Sequence, residues 1–408
     1  MELSNKEDFL SIFRGEPTDR ILWIADLTYW RDSQIIRGTL PDEYRGIDGF
    51  LKLHRDLGVV PYYIYARDDR ESEGMSVHQI GAPGEPFNGV FEFSFEGADI
   101  ESIADGDIIE TWFHVGDQSF AQKKVYLPQS YCYAFTEYPI KKAEDLRYLR
   151  QLYEKCVFQP CYDDYLEVAG IWGQEGVPIA PLPRSPLSAL IVDWMGIEAF
   201  TFAHLDDPEE VQKTLECIDE VNDQAFDLIL HSPAEIFHFC DNLTGTNFLS
   251  FFPRYATEYY TRRFGELHQY GKKAAVHIDG TLKGILHQVA ETGADALEAL
   301  TTDPVGDVTI ENLRREAESE KIILWGGLPA VMFTSLFSRE ELIAQVDRIK
   351  KQWRKNPRFI AGSADQIPPD ADLDLIRIVS DLFQDRPSCR ATAPSEEWKH
   401  QNVELLRG

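Results

Sequence analysis

Lys273-Ala274-Ala275-Val276-His277-Ile278-Asp279-Gly280 is a short apolar run that ends in a histidine, then a carboxylate two residues on, then a glycine. A helical pattern follows at once over residues 281–290. Such a stretch reads as a buried parallel strand delivering two polar side chains to its C-terminal end. Side chains alternate along a strand, so His277 and Asp279 are expected on one face, with Ala275 behind them. In a closed (β/α) barrel, chemistry is built at that end. The plainer alternative is a satisfied polar pair closing a strand.

Outward from this stretch the same rhythm repeats. Strands are expected at residues 21–24 (ending at Asp26), 59–65, 177–180, 235–240 (ending at Asp241-Asn242), 294–300 (carrying Glu298), 322–325 (ending at Gly326-Gly327) and 359–361 (ending at Gly362-Ser363-Ala364-Asp365). Helices are expected at residues 5–14, 47–57, 142–155, 162–173, 187–194, 197–203, 208–230, 255–270, 308–319, 339–353 and 373–383. With the His277 strand this makes eight strands, helical sequence following nearly every one. That alternation is the mark of an α/β protein, and eight repeats favour a (β/α)8 TIM barrel over an open sheet. No glycine-rich dinucleotide loop follows the first strand, which further disfavours the open sheet.

Residues 84–128 break the rhythm. Phe91-Glu92-Phe93-Ser94-Phe95-Glu96 alternates strictly, and residues 108–115 and 123–127 are strand-like between Gly and Asp turns. This predicts an antiparallel β-hairpin insertion over or beside the barrel mouth. Residues 28–32 read as a polar-aromatic loop, and Tyr62, Tyr63 and Tyr65 as pocket or packing aromatics. The expected organisation is one barrel domain over residues 1–385 and a polar C-terminal tail over 386–408.

The chain has 408 residues, 43% of them hydrophobic, enough for one large core with an appended region. It sets 40 basic against 69 acidic residues, a net charge of −29. So large an acidic excess argues against nucleic acid or an anionic membrane as partner. The six cysteines include no C-x-x-C pair and read as thiols in a reducing, cytoplasmic compartment. Cys156 and Cys161 are expected on helical or loop sequence. No apolar run is long enough to span a membrane.

The strand ends supply Asp26, Arg184, Asp241, His277, Asp279, Glu298, Ser363 and Asp365, which converge if the barrel forms. His277 can titrate near neutrality or ligate a metal, and Asp279 can orient it, act as acid or base, or be a hard ligand. Glu298, alone on an apolar strand, needs a partner if buried; a functional, inward role is expected, with a structural ion pair as the alternative. Asp241 is weighed in the same way. The expected catalytic set is therefore His277, Asp279, Glu298 and Asp241, with His277 and Asp279 as candidate metal ligands. Asp26, Tyr29, Arg184, Asn242, Gly326, Ser363 and Asp365 are the candidate substrate contacts. Arg184 can bind a carboxylate or pair with a strand-end acid. If Asp241 points inward, so do Phe237 and Phe239, and His238 and Cys240 face the helices as packing residues.

From Cys240-Asp241-Asn242 through His277-Ile278-Asp279-Gly280, residues 291–298, Pro304-Val305-Gly306-Asp307-Val308 and Trp325-Gly326-Gly327-Leu328-Pro329 to residues 362–369, the sequence resembles the uroporphyrinogen decarboxylase superfamily. The resemblance covers about residues 237–382 and implies a (β/α)8 barrel. It implies one of two activities: decarboxylation of uroporphyrinogen acetates, or zinc-dependent methyl transfer between a corrinoid protein and a thiol. The chain departs from both. Residues 26–32 keep one arginine among acids where the decarboxylases carry an arginine-rich motif. The thiol methyltransferases have two thiolate zinc ligands at positions that here resemble Asp279 and Ser363. A His/carboxylate set suits a harder metal, or acid–base work on an oxygen or nitrogen leaving group. The expectation is a corrinoid-linked methyltransferase or demethylase acting on a methylated or methoxylated small molecule. The corrinoid would sit on a partner protein, and zinc or another divalent metal is an open cofactor. The alternatives are a decarboxylase of a porphyrinogen or smaller carboxylate, anchored by Arg184 and Arg31, and a non-catalytic binding barrel. The oligomeric state stays open, a homodimer included.

Overall fold

The computed structural model describes residues 4–62 and 89–384. Its strands are β1 (Trp23–Asp26), β2 (Phe91–Phe95), β3 (Ala98–Asp105), β4 (Ile108–Val115), β5 (Gln118–Leu127), β6 (Cys132–Glu137), β7 (Cys156–Pro160), β8 (Ala180–Pro181), β9 (Ile236–Leu243), β10 (Lys273–Ile278), β11 (Ala296–Leu300), β12 (Ile323–Pro329) and β13 (Phe359–Gln366). Seven of them form one curled parallel sheet in the order β1-β13-β12-β11-β10-β9-β8. At its two edges, the Val60 N–H donates to the Trp23 carbonyl at 3.0 Å and the Ile179 N–H to the Tyr62 carbonyl at 2.8 Å. Residues 60–62 thus lie between β1 and the segment entering β8. The rest of the expected second strand, from residue 63, lies outside the described residues, as do residues 386–408.

Strand alternation separates two apolar layers. Leu22, Ile24, Ile179, Ile236, Ala275, Ala296, Ile323, Trp325 and Ile360 belong to one buried cluster on the concave side. Their sequence neighbours, such as Phe237, Phe239, Val276, Leu297 and Leu324, join the larger cluster against the helices. The N-terminal helix Asn5–Arg14 puts Phe9 and Phe13 into the inner cluster, with the Phe9 ring 5.5 Å from Trp325. Arg358 donates to the Ile12 carbonyl at 3.1 Å and secures that helix under the strand starts. The end left for chemistry is the C-terminal one.

β3 to β6 form an antiparallel four-stranded sheet that ends at Glu137, beyond the expected limit of 128. β2 instead pairs antiparallel with β7. β7 corrects the expected helix-or-loop placement of Cys156: Phe158 of β7 packs edge-on against Phe91 and at a tilt against Phe93 of β2, with centroids at 5.6 and 6.0 Å, an aromatic pairing that needs both strands in place. The expected loop at 28–32 is the start of a helix, Thr28–Arg37, because the Asp26 carboxylate accepts from the Thr28 N–H at 2.9 Å and satisfies a first-turn donor. The helix expected over 187–194 runs as a π-helix from Ala189 to Trp194. The helical pattern at 281–290 begins as a turn, and its helix covers Ile285–Glu291.

Three strand ends carry non-glycine residues at positive φ: Asn242 (49°) on β9, Ala299 (62°) on β11 and Asp365 (74°) on β13. Register shifts accompany them in the β9–β10, β11–β12 and β1–β13 pairs. Such irregularities break the period-two alternation and re-aim side chains at the strand ends. Gly326 (φ 142°) belongs to the same set: a Cβ there would lie 2.5 Å from the Leu300 backbone nitrogen.

Candidate active site

β9, β10 and β11 bring three polar side chains together. His277 and Glu298 are register partners, and His238 is the partner of Ala275 one pair behind. Glu298 Oε2 accepts from His277 Nδ1 at 2.7 Å and from His238 Nε2 at 2.9 Å. The other ring nitrogen of His238 lies 3.1 Å from Cys240 Sγ. All three cluster members are buried, Glu298 and His238 to 1% exposure. A lone glutamate on an apolar strand is retained here because two imidazoles satisfy it.

Burial alone would raise the Glu298 carboxyl, but His277 and His238 beside it hold it down to about 2. Burial works against a charged ring at His277; the Glu298 carboxylate outweighs it and lifts the imidazole to about 9. His238 is lifted in the same sense, with Cys240 and Glu298 opposing burial. A pKa raised above the unfolded value of 6.5 stabilises the fold fully below pH 6.5 and loses that contribution as pH rises through about 9. The thermal midpoint is therefore expected to fall across that window, and His277→Gln to flatten the slope. A wild-type midpoint that stays level from pH 6.5 to 9 would contradict the charged pair.

Around the cluster stand further acids. Asp26, 3% exposed, hydrogen-bonds Thr28, and burial pushes its carboxyl up to about 7, with Asp365 and Glu298 adding to the rise. Asp279 is half-buried, its N–H donating to the Leu243 carbonyl at 3.0 Å; burial raises its carboxyl, His277 opposes this, and Asp365 adds to it. Asp365 itself is exposed.

The expected facing of β9 is reversed. Phe239 packs edge-on against Tyr260 and Phe264, with centroids at 5.1 and 5.6 Å, so Phe237, Phe239 and Asp241 face the helices. Asp241 accepts from the Ser185 N–H at 3.0 Å and from the Tyr260 hydroxyl, a buried clamp outside the cluster. His238 and Cys240 take the inner face assigned to Asp241. The signal was in the sequence: Ile-x-His-x-Cys on one face suits a narrow interior, whereas Phe-x-Phe-x-Asp brings two rings that need the roomier helix layer.

The remaining candidates separate. Arg184 is buried, its Nε 3.0 Å from Asp193 Oδ2 and its Nη1 donating to the Cys240 carbonyl. Together with Phe91, Phe93, Phe158 and Asn222 it lines a cavity of about 40 Å3 between the β2–β7 pair and the helix Pro208–His231. Ser363 accepts from the Asp26 N–H at 3.1 Å and ties β1 to β13. Tyr29 donates to the Ser130 carbonyl, Asn242 is exposed, and Gly326 lies buried within β12.

His238, His277 and Glu298 offer ligand atoms that all lie within 4.8 Å of one another, a spacing and donor chemistry that fit a divalent ion. Asp279, expected as a ligand, is outside this set. Among the described residues no helix is long and apolar enough to cross a membrane.

No curated protein matches the chain. A methyltransferase from Methanosarcina mazei has a similar structure, with a TM-score of 0.57 at 13% identity, over 94% of this chain and 100% of that one. Residues 173–385, just over half of the sequence and the part that carries β8 to β13 and the His–Glu–His cluster, match the family model described as "Uroporphyrinogen decarboxylase (URO-D)". By that match the chain belongs to the uroporphyrinogen decarboxylase family.

Proposed function

We propose that this protein is a corrinoid-linked methyltransferase or demethylase that acts on a methylated or methoxylated small molecule. In this reading residues 60–62 contribute the eighth strand of a closed (β/α)8 barrel, and the reaction takes place at the C-terminal strand ends. The observation that carries it is the buried His238–Glu298–His277 cluster bordered by Asp26 and Asp279. Cleaving a methyl ether or methylamine leaves an oxygen or nitrogen that must gain a proton. Asp26, raised to about 7, can hold one near neutrality, and the His277 ring can donate one as long as no cation occupies the cluster. Glu298 fixes the ring orientation of both histidines. A corrinoid on a partner protein would supply the methyl acceptor. A divalent ion on His238, His277 and Glu298 would supply Lewis-acid polarisation of the leaving atom.

The positions of the arginines favour methyl transfer over decarboxylation. A polycarboxylate substrate needs exposed guanidinium groups, but Arg184 is engaged with Asp193 and the Cys240 carbonyl. Arg31, 2% exposed, is directed at the Tyr44 and Gly46 carbonyls. The acids Asp26, Asp279 and Asp365 would repel such a substrate.

The test is methylation of a partner corrinoid protein from methoxylated aromatics or methylamines, alongside growth of a deletion strain on those compounds. The His277→Ala, Asp279→Ala double variant is expected to lose at least about a hundredfold in rate, the lower range for positioned acid–base groups. Full activity in that variant would overturn the reading, and so would release of CO2 from a porphyrinogen without any methyl transfer.

A further inference from the structure

We propose that His238 Nε2, a ring nitrogen of His277 and the Glu298 carboxylate form a divalent-cation site, and that Cys240 is its positioning residue, not a ligand. The inference draws on the methyl-transfer reading only for the use of the ion; binding is measured independently of it.

Three adjacent strands carry the donors, His277 and Glu298 as register partners and His238 one pair behind, so the site is set by backbone pairing and not by loops. His277 Nδ1 and His238 Nε2 already converge on one Glu298 oxygen, at 2.7 and 2.9 Å. The atoms that share protons there can share a cation with little movement, because a metal–nitrogen bond is about 2.0–2.1 Å and needs only a small opening between them. Two nitrogens and one carboxylate leave coordination positions open, as a site acting on a substrate atom requires. The set is intermediate in softness and suits zinc, iron(II) or cobalt(II) over calcium or magnesium.

The placing of Cys240 follows from the His238 ring. Its two nitrogens point to opposite partners, Nε2 to Glu298 and Nδ1 to Cys240 Sγ at 3.1 Å. An ion held on the Nε2 side cannot also reach a sulfur on the Nδ1 side of the same ring. Cys240 instead fixes the ring plane and the nitrogen presented inward, the part an outer hydrogen-bond partner plays at a metal-bound histidine. Arg184, which donates to the Cys240 carbonyl, holds that residue in turn.

The experiment loads the full-length protein with zinc or cobalt(II) salts alone, without corrinoid protein or methyl donor. It reads bound metal by elemental analysis, affinity by titration calorimetry, and the cobalt spectrum. One ion per chain is expected. His238→Gln and Glu298→Gln should each weaken binding at least about a hundredfold. Cys240→Ser should weaken it by about 10–100-fold, as loss of an outer partner does, with no thiolate-to-cobalt charge-transfer band in the wild type. Near-ultraviolet circular dichroism checks folding; should either buried variant unfold, His277→Gln, at the strand end, serves the same comparison. No binding by the folded wild type, or unchanged binding in a folded ligand variant, overturns the site. A charge-transfer band lost in Cys240→Ser overturns the positioning role. Because the readout contains no methyl donor, a site that binds metal while methyl transfer fails, or the reverse, tells the two proposals apart.

Discussion

Glu298→Ala is expected to destabilise the protein by about 3–5 kcal/mol, the scale for removing one partner of a buried ionic pair. The substitution deletes the one acceptor shared by two buried histidines, at 2.7 and 2.9 Å. Both rings then lose the carboxylate that offsets their desolvation, and a cavity opens between β10 and β12. Glu298→Gln separates these effects. It keeps the volume and can accept one N–H, so it should cost less than alanine while removing the charge. Urea unfolding of both variants measures the difference. A loss below about 1 kcal/mol for alanine would mean that water fills the cluster and that the interior is wet. The pH slope assigned to His277 should vanish in both variants, since its raised pKa has Glu298 as its main supporting charge.

Arg184→Met has the next largest expected effect, again about 3–5 kcal/mol, and it distinguishes a structural arginine from a substrate anchor. Arg184 and Asp193 are 5% and 6% exposed, with 3.0 Å between them. Burial raises the Asp193 carboxyl to about 6 even with the guanidinium opposing it. Without Arg184 the carboxyl should rise further and take up a proton near neutrality. The deficit should therefore be larger at pH 8 than at pH 5, because the unpaired carboxylate is costly only when ionised. A substrate anchor would give another pattern: wild-type stability at both pH values and a weakened KM. Denaturation midpoints at the two pH values decide between them.

Much of this protein can be read from its residues in order. The alternation of apolar runs and amphipathic helices placed β9 to β13 and the helices between them, because burial on both faces of a parallel sheet leaves an unbroken apolar run. His277 and Glu298 were legible for a related reason: a titratable side chain inside such a run is costly unless something meets it. The short strand β7 was not legible. Its partner β2 lies some sixty residues earlier, and only that pairing makes Cys156–Pro160 extended.

The sequence by itself determined that His238 and Cys240 share one face of β9 and that Phe237, Phe239 and Asp241 share the other, since side chains alternate along a strand wherever its pairing is regular. Which face looks inward was decided only by the tertiary structure. The helix carrying Tyr260 and Phe264 offers the aromatic layer that takes Phe239, and the opposite residues are then turned toward Glu298. Period two gives parity without a sign. The sign comes from whichever neighbour fits the larger side chains, and that neighbour lies far away in the chain.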